Sequence, residues 1–514
     1  MDNHFSIFRI PDKISITTEK GVSHQSGAQT CSFHDIKVSI ENGAVYLESD
    51  KTPVKSVVLQ WAVAFPSGTL FSGDHWERGY GDFSWRKIDP NRLLPWYFFA
   101  YSDSILRLYG VKLHPDALCA FLCDSSTVTL CLDVGCGSDG TVLSGRKIKC
   151  ADIIYEDTIT SDPFNAASLL IKALTDTNVC FPSSPVYGYN NWYYAYGEST
   201  AQETEQSAAE LHALTEGLTN RPYLVIDDCW QENRKYGFIG GSWRKSNIDF
   251  PDMQALAKII SDKDIHPGIW MRPLQNKEPE IPAACYRDCN EFILDPSLPE
   301  TLNYISDDIK TLTGWGYQLI KHDYSTYDIL GDWGNKLSFP VCRQGVHFSD
   351  KSKTTSEIIK NLYRTIFEAA NGKALILGCN TIGHLGAGYM QLARTGDDTS
   401  GRDWERTKKM GVNTLAFRMP QHNVFFAADA DCVGITPAVP WEKNRQWLDL
   451  LANSGTPLFI SVAPGSLTKT QYAEIRKAFE TASLPFSPAV PLDWMETECP
   501  ARWRTGHGIK EYQW

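Results

Sequence analysis

With 514 residues, 42% of them hydrophobic, the chain is long enough for one large core and at least one smaller one, since single cores stop growing near ~250–300 residues. A net charge of −12 and a pI near 5.5 exclude the clustered basic surface that a nucleic-acid backbone demands. No stretch approaches ~18 uninterrupted apolar residues, and the start MDNHFSIFRIPDKISI lacks a basic segment followed by an apolar one, so a soluble, unexported, cytoplasmic protein with no membrane partner is expected.

Residues 1–183 are dominated by short β-type runs (KVSIENGAVYLES, SVVLQWAVAF, ILRLYGVKL, TVTLCLDVG) broken by Gly, Pro, Asp and Ser. Alternation at period two with frequent turns predicts an antiparallel β-sandwich domain. The first helical periodicity is PFNAASLLIKALTDT, residues 163–177, which reads as a linker helix. From residue 184 the pattern becomes strand, polar loop, helix, repeated. Predicted strands are VYGYNNWYY (186–194), PYLVIDDCW (222–230), HPGIWMRP (266–273), YQLIKHDY (317–324), ALILGCN (374–380), MQLARTGDD (390–398), NVFFAADAD (423–431) and PLFISVAP (457–464). Helices are predicted between most of them, at TEQSAAELHALTEGL, DMQALAKIISDK, PETLNYISDDIKTLTGWG, TSEIIKNLYRTIFEAANG and RTKKMGVNTLAFRM. Strands alternating with helices in this number predict an α/β fold with a catalytic (β/α)8 TIM barrel over 184–465; the Gly-rich dinucleotide turn of a doubly wound sheet is missing. Residues 466–514, with one helix and then a Trp- and Pro-rich stretch, are too few for a core of their own and read as a short C-terminal β extension.

The 14 cysteines are scattered singly (Cys119, Cys123, Cys131, Cys136, Cys180, Cys229, Cys379 and Cys432 among them) with no CxxC pair, and the 12 histidines form no HExxH motif. Reduced thiols and no metal site are expected. The 16 Trp and 22 Tyr are numerous enough that many are expected at a surface or pocket, where flat rings with polar edges suit sugars.

In a (β/α)8 barrel the chemistry sits at the C-terminal ends of the strands, so functional groups should follow each apolar run. They do so repeatedly: Asp227-Asp228-Cys229-Trp230, Trp270, Lys321-His322-Asp323, Cys379-Asn380, Arg394 with Asp397-Asp398, and Asp429 with Asp431. One such aspartate is commonly a helix cap; several converging on one mouth are not explained by capping. Paired carboxylates beside aromatic platforms suit glycoside hydrolysis, one attacking the anomeric carbon and the other protonating the leaving oxygen. Lys321 and Asp323, two apart on a strand, point to the same side, so the lysine keeps Asp323 ionised as a nucleophile. The acid must hold its proton, and Asp397 beside Asp398 is expected to supply the negative neighbour that does this, with Arg394 orienting substrate or carboxylate. Asp403 reads as a helix N-cap or surface residue.

GYNNWYY, IDDCW, GIWMRP, LIKHD and RTGDD, in this order, resemble clan D glycoside hydrolases, most of all the family 36 α-galactosidases, and DHWERGYGDFSWR (74–86) is similar to family 36 sequences as well. The resemblance implies Asp323 as nucleophile and Asp398 as acid/base, with Asp227 and Asp228 on the 4- and 6-hydroxyls and Lys321 and Arg394 as sugar ligands. Trp192, Tyr193 and Trp270 would shape the pocket, and Cys379 with Asn380 would lie near the 2-substituent. His322, where relatives commonly carry Trp, is expected close to the sugar. The expected activity is retaining, exo-acting hydrolysis of α-galactoside oligosaccharides or small glycosides, without a cofactor; an α-N-acetylgalactosaminidase, a raffinose-synthase-like transferase and a silent sugar-binding protein are the alternatives. A Schiff base on Lys321 requires a neutral amine, which the neighbouring carboxylate opposes. A protein of this size and make-up is compatible with homo-oligomer formation.

Overall fold

The computed structural model describes residues 10–176, 179–236, 238–287 and 290–514. Residues 1–9, on which much of the reading of the chain's start rests, and Thr177, the last residue of the predicted linker helix, lie outside them. Two antiparallel sheets occupy the N-terminal third. The six-stranded one has Lys13–Thr18, Val54–Ala62 and Thr127–Asp133 at its centre; the seven-stranded one includes Ile36–Glu41, Ala44–Ser49, Lys147–Ile159 and Ile105–Val111. Within Val54–Ala62 the side chains of Val57, Leu59 and Trp61 are buried while Val58 and Gln60 are only partly so, the period of a pleated strand with one face in a core. Ile36–Glu41 and Ala44–Ser49 are joined by Asn42-Gly43, both at positive φ (+52° and +87°), the conformation that Asn-Gly adopts in tight hairpins at little cost. The linker helix forms at Pro163–Leu170, capped by Asp162 and continued as a tighter turn to Leu174.

A strand lies in each of the eight segments predicted to hold one: β1 (Tyr187–Asn190), β2 (Tyr223–Ile226), β3 (His266–Met271), β4 (Leu319–His322), β5 (Leu375–Gly378), β6 (Leu392–Arg394), β7 (Ala427–Asp429) with β8 (Cys432–Gly434), and β9 (Leu458–Ser461). All pair in parallel, in the order β7-β6-β5-β4-β3-β2-β1-β9-β8. The two ends of this order are separated in the chain only by Ala430 and Asp431, so they meet, and the sheet fits a (β/α)8-like domain. Three of its helices open on a capping box, Thr200 with Glu203, Thr354 with Glu357 and Thr468 with Gln471, in which side chain and backbone satisfy each other's free groups.

Two elements depart from expectation. Trp441–Ser454 is a helix that the pattern does not announce, because Pro440 at its start offers no capping side chain and charged residues crowd its first turn. The predicted helix 406–419 is a composite in which a π turn, Lys408–Asn413, sits between Trp404–Thr407 and Thr414–Arg418. Its extra residue turns Asn413 inward, where the amide exchanges hydrogen bonds with the backbone of Phe83 (3.2 and 2.8 Å). The tryptophans also behave differently from expectation. Trp61, Trp96, Trp230, Trp243, Trp270, Trp447 and Trp503 are fully buried, and several satisfy the indole N–H on a backbone carbonyl, as Trp230 does on Trp270 at 2.9 Å. No helix among the described residues is long and apolar enough to cross a membrane.

Candidate active site at the barrel mouth

The ends of β2 and β4 meet through one buried ion pair. Lys321 Nζ lies 2.6 Å from Asp227 Oδ2, which also accepts from Asn190 Nδ2 at 2.7 Å. Asp227 Oδ1 accepts from the Asp228 backbone N–H at 2.9 Å. Burial works to discharge Lys321, but Asp227 outweighs it and raises the amine well above its ordinary value. The neutral lysine of a Schiff-base mechanism is therefore absent. Burial pushes Asp228 up to about 7, against Arg234 at 3.2 Å and the Gln231 amide at 2.7 Å.

His322 lies between Lys321 and Asp323 and so faces away from the site. Its ring is fully buried, 5.7 Å from that of Tyr363 on the helix Thr355–Ala370, and its two nitrogens have no hydrogen-bond partner. Burial lowers its pKa to about 4, so it is neutral. The expectation that it touches the sugar is corrected by strand geometry alone, since neighbours along a strand alternate sides.

Asp323 is held by three donors: Trp270 Nε1 at 3.2 Å on one oxygen, and the backbone N–H groups of Tyr324 (2.7 Å) and Asn380 (3.1 Å) on the other. Three donors and no acceptor fix the carboxylate in orientation. Asn380 acts through that backbone contact. Its side chain is fully buried and engaged elsewhere, Nδ2 donating to Glu77 and Oδ1 accepting from Tyr327 N, so it does not reach toward a sugar substituent as expected.

On the other side of the mouth, Arg394 Nη2 is 3.3 Å from Asp398 and 2.9 Å from Asp431, and Nη1 donates to Cys379 Sγ at 3.4 Å. Asp431 also accepts from the Tyr193 hydroxyl and from Thr399 N at 2.9 Å, which makes it part of the wall. Trp192 is half-buried, its ring 5.3 Å from that of Tyr196. Asp403 caps the helix Trp404–Thr407.

Asp397 does not do what its adjacency to Asp398 suggests. It is bound by Arg78 and by Arg406, each at 2.7 Å, so its charge is spent on them. Burial works to raise Asp398, but Arg394, Arg78 and Lys321 together hold it below the ordinary carboxylate range. The acid/base candidate is thus ionised in the free site, with its side chain 39% exposed.

Two residues of the site come from the N-terminal segment 74–86 and were not singled out from the sequence. Glu77 is buried, receives the Asn380 amide and accepts from Gly334 N at 2.9 Å, and burial raises its pKa. Arg78 bridges to Asp397. Asp74 anchors the same segment through Arg418 (2.7 Å) and Gln421 (2.7 Å). The similarity of this segment to the same family as the barrel motifs was the one available signal.

Behind the mouth, Asp429 is buried and accepts from the Asp431 backbone N–H at 3.0 Å. Burial first, with Asp431 adding and Arg394 opposing, raises it from 3.8 to about 6. Because the folded chain binds this proton more tightly than the unfolded one, stability is lost as pH climbs from about 4 to about 6, by roughly 1.4 kcal/mol per unit. Asp429→Asn is expected to melt higher than the wild type at pH 7 and to show no such gain at pH 4, measured as Tm against pH.

No protein-family model matches the chain. Among curated proteins, it is 25% identical over 186 residues to an alpha-galactosidase of Oryza sativa subsp. japonica, covering 36% of this chain and 37% of that one. It is 24% identical over 141 residues to alpha-galactosidase 2 of Arabidopsis thaliana, covering 27% and 31%. The chain thus spans about a third of the length of these relatives. Among solved structures, an alpha-galactosidase from Thermus thermophilus in complex with p-nitrophenyl alpha-D-galactopyranoside superposes with a TM-score of 0.62 at 15% identity, over 97% of this chain and 98% of the other. A GH36 alpha-galactosidase from Geobacillus stearothermophilus in complex with stachyose gives 0.59 at 14% identity, over 96% and 79%. In fold the chain is similar to these alpha-galactosidases, and in sequence it matches curated alpha-galactosidases over about a third of its length.

Proposed function

We propose that the chain is a retaining, exo-acting α-galactosidase working by double displacement. The observation that carries this reading is the division of labour at the mouth: the Asp323 carboxylate is pinned by three donors, whereas that of Asp398 is partly exposed and bonds a single arginine, Arg394. The first arrangement suits a nucleophile, which must not move. The second suits an acid/base, which must exchange its proton with a leaving group and then with water. Asp323 attacks the anomeric carbon, Asp398 protonates the departing oxygen, and the same carboxylate then deprotonates the water that releases the sugar. Asp227 and Asp228 hold the glycon hydroxyls, with Lys321 and Arg394 beside them. The neighbouring structures named with stachyose and with an aryl galactoside support the choice of α-galactosides. The two N-terminal sheets are read as a β-sandwich packed on the barrel, and the hairpin Arg502–Thr505/Gly508–Glu511 as its C-terminal counterpart.

Hydrolysis of p-nitrophenyl α-glycosides, with the galactoside beside the N-acetylgalactosaminide, glucoside and xyloside, tests the glycon. Proton NMR of the first-formed sugar tests the stereochemistry: α-galactose supports the reading, and β-galactose refutes retention. Since Asp398 is ionised above an already lowered pKa, kcat/KM for an oligosaccharide, whose leaving oxygen needs a proton, should fall as pH rises through the weakly acidic range. For α-galactosyl fluoride, which needs none, it should stay nearly level over the same range.

A further inference from the structure

The mouth carries an aromatic wall that the chemistry of the two carboxylates does not use. Immediately after Asp323 the backbone turns through the left-handed region at Tyr324 (φ +63°). The helix Ser325–Leu330 and the loop behind it bring Tyr327 and Trp333 alongside. Ring centroids are 5.7 Å apart for Tyr324 and Trp333 and 5.0 Å for Tyr327 and Trp333, with planes inclined by 40° and 44°, so the rings form an angled surface and not a stack. All three are only partly buried.

The wall is braced. Arg272, bound to Asp328 at 2.6 Å, lies 4.2 Å from the Tyr324 ring centroid. Arg78, at 2.7 Å from Asp397, lies 5.9 Å from that of Trp333. The Trp333 end therefore adjoins the residue next to Asp398, and the Tyr324 end adjoins Asp323. Among the described residues the Tyr324 hydroxyl meets no hydrogen-bond partner. Burial and then Asp323 raise its pKa, against Arg272.

We propose that Tyr324, Tyr327 and Trp333 form the leaving-group subsite, and that its occupant is a second pyranose ring whose C–H face lies on the wall. This rests on the glycosidase reading, in which the departing oxygen is on the Asp398 side. A pyranose presents an apolar face to an aromatic ring and hydroxyls at its edge, where the Tyr324 phenol can donate. A bare hydrocarbon would leave that phenol unmatched; a charged group would meet both carboxylates and arginines.

The test compares melibiose, whose leaving group is glucose, with α-galactosyl fluoride, whose leaving group is too small to touch the wall. The ratio of kcat/KM for melibiose over the fluoride is independent of how much of a variant is folded. Trp333→Ala is expected to lower it about tenfold, the worth of one good ring contact, and Trp333→Tyr to restore most of it. An unchanged ratio in Trp333→Ala overturns the subsite. A wild-type chain inactive on both substrates refutes the galactosidase reading instead. Saturation-transfer NMR with melibiose then decides the subsite: saturation of the glucose ring protons by the wild type and not by Trp333→Ala supports it, and equal transfer overturns it.

Discussion

Asp323→Ala is expected to lose on the order of 10⁴ to 10⁶ in kcat toward an aryl α-galactoside, the scale seen when a covalent nucleophile is removed. The loss should not be accompanied by unfolding, because the groups that hold the carboxylate are the Trp270 indole and two backbone N–H groups, none of them charged. Removing the carboxylate opens the face from which it attacks. Azide supplied in its place should therefore restore turnover and give β-galactosyl azide. Asp398→Ala is expected to differ in kind. The glycosyl-enzyme still forms from a substrate with a good leaving group, and azide captures it from the side that Asp398 vacates, giving the α-azide. The anomeric configuration of the two azides, read by NMR, assigns the roles independently of the size of either rate loss. The β-azide from Asp398→Ala would exchange the roles assigned to the two aspartates.

Lys321→Met is expected to be the most damaging single change to the fold. The Lys321–Asp227 pair is buried on both sides, with side chains 10% and 4% exposed. Deleting the cation leaves a carboxylate with Asn190 Nδ2 as its remaining side-chain donor. An uncompensated buried charge costs about 3–5 kcal/mol, whereas removing both partners of such a pair is often close to neutral. The double variant Lys321→Met/Asp227→Asn should thus recover most of the stability in urea while staying inactive, since both groups also belong to the glycon site. A single variant as stable as the double one would show that water, not burial, sets the energy of this pair.

The barrel was readable from the sequence because its strands are enclosed: runs such as YLVI and ALIL carry no charged or amide side chain, and each breaks into polar residues where the strand emerges at the mouth. The outward orientation of His322 was readable too, from the same period-two rule that pairs Lys321 with Asp323. The charge state of Asp398 was not. Adjacency on the chain suggested that Asp397 would act on it, but charges act through space. Asp397 is claimed by Arg78, more than 300 residues earlier, and by Arg406, one helical turn into the next element. Glu77 escaped notice for the same reason: beside the Tyr80 hydroxyl three residues on, the group that binds its carboxylate in the site is the Asn380 amide, 303 residues away.

That separation has a bearing on how the chain is made. Glu77 and Arg78 leave the ribosome long before Asn380 and Asp397 exist, an interval on the order of tens of seconds at ordinary rates of synthesis. Throughout it the nascent N-terminal sheets must carry, on one loop, an acid and a guanidinium with no place to be buried. The segment 74–86 therefore gains its contacts with Asn380, Asp397 and Arg418 only after those later residues have been made. The site is finished only when the newest part of the barrel closes over one of the oldest stretches of the chain.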